Sequence, residues 1–196
     1  MKKKFWIFGG LLLFAAALFL TLQNVQEAKR AGDASAMAVS DLKAQEEGTS
    51  SEGVPEYVLN PDMEMPVKES GDQEYIGTLD IPDLELSLPV ISEWNYPRLK
   101  IAPCRYKGSV YQDNLIISAH NYPQHFGNLK ELETGAEIRF TDVEGNCFSY
   151  QVAEIEELKA TDVKKMESGE WDLTLFTCTT GGKARVTVRC DRIKDK

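Results

Sequence analysis

The chain has 196 residues, room for one ordinary domain plus attachments. Its formal charge of −9 is unevenly placed: residues 1–30 hold five of the 22 Lys and Arg but one of the 31 Asp and Glu, which leaves −13 beyond Arg30. An acidic main domain argues against a nucleic-acid partner, which wants basic patches. The four cysteines show no C-x-x-C and no Cys/His spacing that would hold zinc.

Three lysines, Lys2 to Lys4, precede 18 uncharged residues, FWIFGGLLLFAAALFLTL, from Phe5 to Leu22. As a helix this stretch is roughly 27 Å long, near the lower limit for crossing a bilayer core. A cleaved signal peptide is the competing reading. The run exceeds the usual apolar region of about 7–15 residues, and no A-x-A site follows it directly. We therefore expect an uncleaved signal anchor over 5–22, with residues 1–4 in the cytoplasm and the remainder outside, as the lysines direct. Residues 23–72 are polar, with prolines at 55, 61 and 66 and no sustained apolar period. They are expected to be a spacer, helical to about Ala44 and otherwise a tether.

From residue 73 to 196 the pattern changes to short runs rich in Ile, Val, Tyr and Phe with turn residues between them. Strands are predicted at Tyr75–Ile81, Leu86–Ile91, Asn114–Ser118, Glu137–Thr141, Cys147–Leu158, Leu173–Thr177 and Ala184–Ile193. VEGN at 143–146 is a hairpin turn. A short helix is expected near Phe126–Leu132 and a helical turn near Asp162–Glu167. Seven or eight short strands in so few residues imply an all-β fold, a closed and mostly antiparallel barrel. In the last strand Val186, Val188 and Cys190 share the core face. Arg185 and Arg189 share the other and are expected to point together into a groove or solvent. No second apolar span follows this strand.

Two side chains that can do chemistry stand at strand ends, where loops carry function on rigid supports. His120 follows LIISA, and Cys178 closes LTLFT. Arg185 opens the next strand. A thiolate attacks a carbonyl. An imidazole protonates a leaving amine and deprotonates an incoming one. A guanidinium stabilises an oxyanion or the thiolate. The alternatives are a structural cysteine in a tethered binding domain, and a redox thiol, which lacks C-x-x-C support.

These residues resemble a known family. SAHN at 118–121, LTLFTC at 173–178 and Arg185 opening RVTVR match the sortases, membrane-anchored transpeptidases of Gram-positive bacteria. IGTLDIPDLELSLPV, FGNLKEL and KATDV extend the likeness over about 72–193. The resemblance implies an eight-stranded barrel and three roles. Cys178 would cleave an LPxTG-like sorting signal through a thioester, His120 would act as acid and then base, and Arg185 would stabilise the oxyanion. Arg185 fits better than Arg189 or Arg192 because an apolar stretch follows it. Thr177, Phe176 and Ser118 would contact the signal.

The implied partners are surface proteins with a C-terminal sorting signal, and an amine acceptor from a peptidoglycan precursor or a pilin. No cofactor is implied. Calcium dependence stays open, since the acidic residues form no convincing ligand set. The short 158–171 segment argues against class B. The lack of a clear lid or second span argues against pilin-polymerising class C, so a housekeeping enzyme of class A, D or E is expected. The TTGGKA loop is short.

If Cys178 is a free nucleophile, an odd number of cysteines remains. Maleimide counting on the denatured, unreduced protein should find four thiols. A count of two would show a bridge such as Cys104–Cys147.

Overall fold

The structure, a computed structural model, describes residues 2–46 and 54–194. Residues 47–53 of the expected tether lie outside them. One long helix, α1 (Lys2–Glu46), is followed by the short α2 (Glu56–Leu59) and then by strands. These are β1 (Lys68–Ser70), β2 (Gln73–Ile81), β3 (Leu86–Ile91), β4 (Cys104–Lys107) and β5 (Leu115–Ser118). They continue with β6 (Glu137–Asp142), β7 (Cys147–Lys159), β8 (Leu173–Cys178) and β9 (Ala184–Arg192). Two four-residue helices lie between strands, α3 (Tyr96–Leu99) before β4 and α4 (Val163–Met166) before β8.

The strand order is β1-β2-β3-β4-β5-β8-β9-β7-β6, and β6 returns to pair with β2. Eight strands therefore close into a barrel. The ninth, β1, pairs with Gln73–Tyr75, the end of β2 that β6 leaves free. Closure brings Gly77 against Thr141 and Asp142 so closely that a Cβ there would overlap the Thr141 carbonyl. Glycine at this position is thus a packing requirement.

The seven predicted strands are present, each within a residue or two of its expected ends. β1 and β4 were not foreseen. KES has no apolar residue, and CRYK is too short to show a period. The helix expected near 126–132 is a 3-10 turn at Leu129–Glu131. The turn near 162–167 is α4. At 143–146 the VEGN turn is organised by Asp142. Its buried carboxylate accepts from the Glu144 and Asn146 amides at 2.9 Å, from Asn146 Nδ2 at 2.8 Å and from the Tyr111 hydroxyl at 2.8 Å. A buried charge so fully bonded is tolerable in the core.

The barrel interior holds Ile76, Leu79, Ile81, Leu115, Ile117 and Phe140, among others, all essentially without solvent contact. A second cluster lies outside it. Ala38 and Leu42 of α1 pack there against Tyr75, Ile91, Leu99 and Ala102. The described apolar side chains of the first half of α1, from Ile7 to Leu22, are instead exposed on all sides. A helix apolar all round and uncovered suits a lipid environment. By length and composition it can cross a membrane.

All four cysteines are free thiols. Cys190 is in the core, as expected. Arg189 corrects the sequence reading. It does not share a groove with Arg185 but is only 2% exposed. Its guanidinium bonds Glu156 at 3.0 Å, Thr174 Oγ1 at 3.0 Å, and the Met166 and Lys165 carbonyls at 3.1 and 2.7 Å. The two-residue period gives a strand's face, but not what covers it, and here α4 covers it. Arg189 therefore fixes the end of α4 to β8 and β9. Arg189→Ala should lower unfolding free energy by about 3 kcal/mol, the low end for a broken buried pair because Glu156 keeps some water contact. Chemical denaturation measures this, and a loss below about 1 kcal/mol would contradict the role.

Candidate active site

Three strand ends build the site. β5 and β8 run parallel with Ser118 opposite Phe176, so both chains leave the sheet side by side. The Ala119 amide donates to the Phe176 carbonyl at 3.2 Å. The Thr177 hydroxyl donates to the Ala119 carbonyl at 2.9 Å. These bonds hold the start of the His120 loop against the strand that ends in Cys178. β8 and β9 are antiparallel, and their last pair is Cys178 with Arg185.

The TTGGKA loop between them closes on itself. The Thr179 amide donates to Ala184 O at 3.0 Å, and the Gly182 amide to Thr179 O at 2.8 Å. Gly181 and Gly182 both take positive φ, +89° and +72°, which makes the short reversal possible. Arg185 Nη1 donates to the Gly182 and Ala184 carbonyls, both at 3.1 Å. The loop that delivers this side chain also orients it.

Cys178, His120 and Arg185 line one cavity of about 200 Å³. Phe176 and Ser118 line it as well. Ser118 is 2% exposed, and its hydroxyl has no hydrogen-bond partner within the protein. Thr177 also borders the cavity, but its hydroxyl is committed to Ala119. Its clearest contribution is to the geometry of the His120 loop.

The sequence reading missed the opposite wall. Trp94, Tyr96 and Leu99, from the segment before β4, and Tyr106 of β4 face the strand ends. Tyr106 stands edge-on to Phe176 at 5.3 Å and to Trp94 at 5.9 Å. Three aromatics within 13 residues, WNYPRLKIAPCRY, were the available signal. Val163 and Met166 of α4 close one side. A larger cavity of about 600 Å³ shares Trp94 and Tyr106 but contains none of the three reactive residues. It is bordered by Asp62 to Glu64, which do not line the cavity at Cys178.

The other thiols are placed differently. Burial pushes Cys104 up to about 12 and Cys190 up further, which keeps both protonated and inert. Cys147 is exposed at the start of β7, away from the cavity. Cys178 is the one cysteine that lines it.

His120 is half-buried, and burial pulls its pKa below the ordinary value of 6.5. Lys100 pulls the same way, and Glu27 opposes both. The ring is therefore mostly neutral at neutral pH. His125, passed over in the sequence, is fully buried five residues on. Its Nε2 lies 3.2 Å from Ser35 Oγ of α1. Ser35 donates its own proton to the Ile101 carbonyl at 3.1 Å, so the imidazole donates through Nε2–H. The Tyr122 ring sits between the two histidines, 5.0 Å from His120 and 5.7 Å from His125.

The sequence pattern of the Sortase domain family matches residues 79–193. No curated protein matches the chain in sequence. Among solved structures, a sortase D5 transpeptidase of Clostridium perfringens is 20% identical with a TM-score of 0.63, over 83% of this chain and 99% of that one. A sortase C-1 of Streptococcus pneumoniae is 18% identical with a TM-score of 0.60, over 82% and 100%. A lid mutant of sortase A from Corynebacterium diphtheriae is 18% identical with a TM-score of 0.57, over 86% and 95%. At these identities the likeness establishes the fold.

Burial also lowers His125, to about 4. The unfolded chain then holds a proton, with a pKa near 6.5, that the folded chain lacks. Stability contributed by His125 is complete above about pH 7 and falls as pH drops toward 4, by about 3 kcal/mol. NMR titration should place both histidine midpoints below 6.5, His125 lower. Two midpoints at 6.5 would contradict the burial of both rings.

Proposed function

Since the chain belongs to the sortase family, we propose that it is a membrane-anchored cysteine transpeptidase that cuts an LPxTG-like sorting signal. The observation that carries this reading is the convergence of Cys178, His120 and Arg185 on one cavity. The sorting signal would lie in the cleft with its apolar residues against Phe176, Tyr106 and Trp94. Ser118, buried without a partner, supplies a hydrogen bond to a polar group of the peptide.

The thiol proton passes to neutral His120 as the sulfur attacks the carbonyl carbon of the threonine of the sorting signal. The resulting oxyanion is held by the Arg185 guanidinium. Two carbonyls already fix one of its nitrogens, which leaves other N–H groups to donate. Collapse breaks the C–N bond, His120 protonates the departing amine, and a thioester remains on Cys178. An incoming amine attacks the thioester, His120 takes its proton, and collapse forms the new peptide bond. The proton then returns to the sulfur. Thiol, imidazole and guanidinium supply nucleophile, proton shuttle and charge, so this chemistry draws on no cofactor.

The substrates are surface proteins with a C-terminal sorting signal. The acceptor is an amine of a peptidoglycan precursor or a pilin. The three leading lysines place the N-terminus inside and the catalytic domain on the extracytoplasmic face of the cell membrane. A class A, D or E enzyme fits better than class B or C. Only a four-residue helix lies between β7 and β8, and among the described residues nothing from 54–72 borders the cleft.

The full-length protein in detergent micelles, given LPxTG-type peptide libraries and hydroxylamine, should release the cleaved product. Cys178→Ala should abolish turnover, and Arg185→Lys should lose about a hundredfold in kcat, because a point charge does not replace the fork. Absence of cleavage across the libraries, or turnover by Cys178→Ala, would overturn the reading.

A further inference from the structure

α1 does not end its work at the membrane. Ala28, Ala31, Ser35, Ala38 and Leu42 are all buried. Their spacing of three, four, three and four residues puts them on one face of the helix. That face is made mostly of small side chains, so the helix axis comes close to the barrel.

What it meets is the loop from Ala119 to Phe126 that carries His120. Ser35 bonds His125 and the Ile101 carbonyl. Gly32 lies against Gln124. A Cβ at this glycine would stand 2.9 Å from Gln124 Cγ and 3.1 Å from its Cβ, closer than the pair can accommodate without moving. Glu27 reaches toward Lys100 at 3.9 Å, an exposed pair that adds little. The loop is also anchored at its far end. There Phe126 is buried in the barrel core and its amide donates to the His120 carbonyl at 3.3 Å, and Tyr122 O accepts from the His125 and Gly127 amides at 2.9 and 2.8 Å. The stretch between these anchors leans on α1. Asn121, Pro123 and Gln124 are exposed, and the loop backbone is bonded to the sheet only at its start, through Ala119. On the other side, His125 is the floor on which Tyr122 rests, and Tyr122 lies against His120.

We infer that the segment Glu27–Leu42 of α1 is a positioning element for His120, acting through Ser35, His125 and Tyr122. This rests on the reading of His120 as the proton shuttle. These residues do not touch the reacting atoms; they set where the imidazole stands. Because α1 runs without a break from the apolar stretch to Glu46, the geometry of the catalytic histidine is tied to the membrane anchor. Release of the helix would leave Cys178 and Arg185 in place on β8 and β9 and free the third member of the site.

The test uses full-length protein in micelles. Gly32→Leu should push the helix off Gln124 and lower kcat about tenfold or more with KM little changed, since displacement of a catalytic group costs rate. Ser35→Ala only deletes a hydroxyl and keeps the fold. It should show the same kcat loss at about threefold, the scale of one hydrogen bond. Met37→Ala, on the exposed side of the same helix, is the control and should match wild type. Two further readouts do not depend on turnover. The His120 NMR midpoint should rise toward 6.5 in both variants, and amide exchange over 119–127 should speed up. Unchanged kcat, His120 midpoint and exchange in both variants would overturn the inference. An inactive wild type would instead remove the transpeptidase reading, and the NMR and exchange results would still decide whether α1 holds the loop.

Discussion

The parallel pairing of β5 with β8 is the constraint on which the site depends. Antiparallel neighbours would send one chain out at each end of the sheet. Parallel neighbours send both out at the same end. With Ser118 opposite Phe176, the chain reaches Ala119 and His120 on one side just as it reaches Thr177 and Cys178 on the other. The Thr177 hydroxyl on the Ala119 carbonyl locks that match. The hairpin from β8 to β9 then adds Arg185 directly opposite Cys178. A slip of one residue in either register would turn Cys178 to the other face of the sheet, so the packed apolar faces of these strands specify the chemistry as well as the fold.

Much of this was legible because the strands carry strong alternation and the reactive residues sit at their ends. The seven predicted strands, the closed barrel and the placement of Cys190 in the core follow from period and composition. The likeness of three short motifs supplied the family. What escaped has physical reasons. β1 is three polar residues on an edge, where backbone pairing alone makes a strand. β4, CRYK, lacks the apolar run that marks the equally short β5, LIIS. Arg189 alternates with Val188 and Cys190, yet α4 covers its face and turns a surface arginine into a buried clamp. The docking face of α1 is hidden because it is written in alanine and serine, not in leucine. A search for apolar period passes over a stripe of small residues whose contribution is close approach. His125 was passed over in the sequence, and only the fold shows that it is buried.

The same helix changes how the domain relates to the membrane. A polar stretch after an anchor reads as a spacer, and the composition of 23–72 supports that reading. In the structure the buried face of α1 begins at Ala28, six residues past Leu22. That is roughly 9 Å of helix. The barrel therefore lies close to the end of the apolar stretch and is held there by side-chain packing and hydrogen bonds. Under the proposed function, this arrangement would keep the site at a fixed height over the bilayer, which suits substrates retained at that surface. It also means that the histidine's support belongs to a part of the chain remote in sequence from every reactive residue.

The central claim is that Cys178 is the nucleophile and forms a thioester with the sorting signal. Intact-mass and peptide-mapping spectrometry of the full-length protein, quenched in acid soon after mixing with an LPxTG peptide, tests it most directly. The account predicts an adduct whose mass equals the peptide up to its threonine, carried on the fragment containing Cys178 and released by hydroxylamine. An adduct on Cys147, or peptide cleavage with no adduct on any cysteine in the acid-quenched protein, would contradict it.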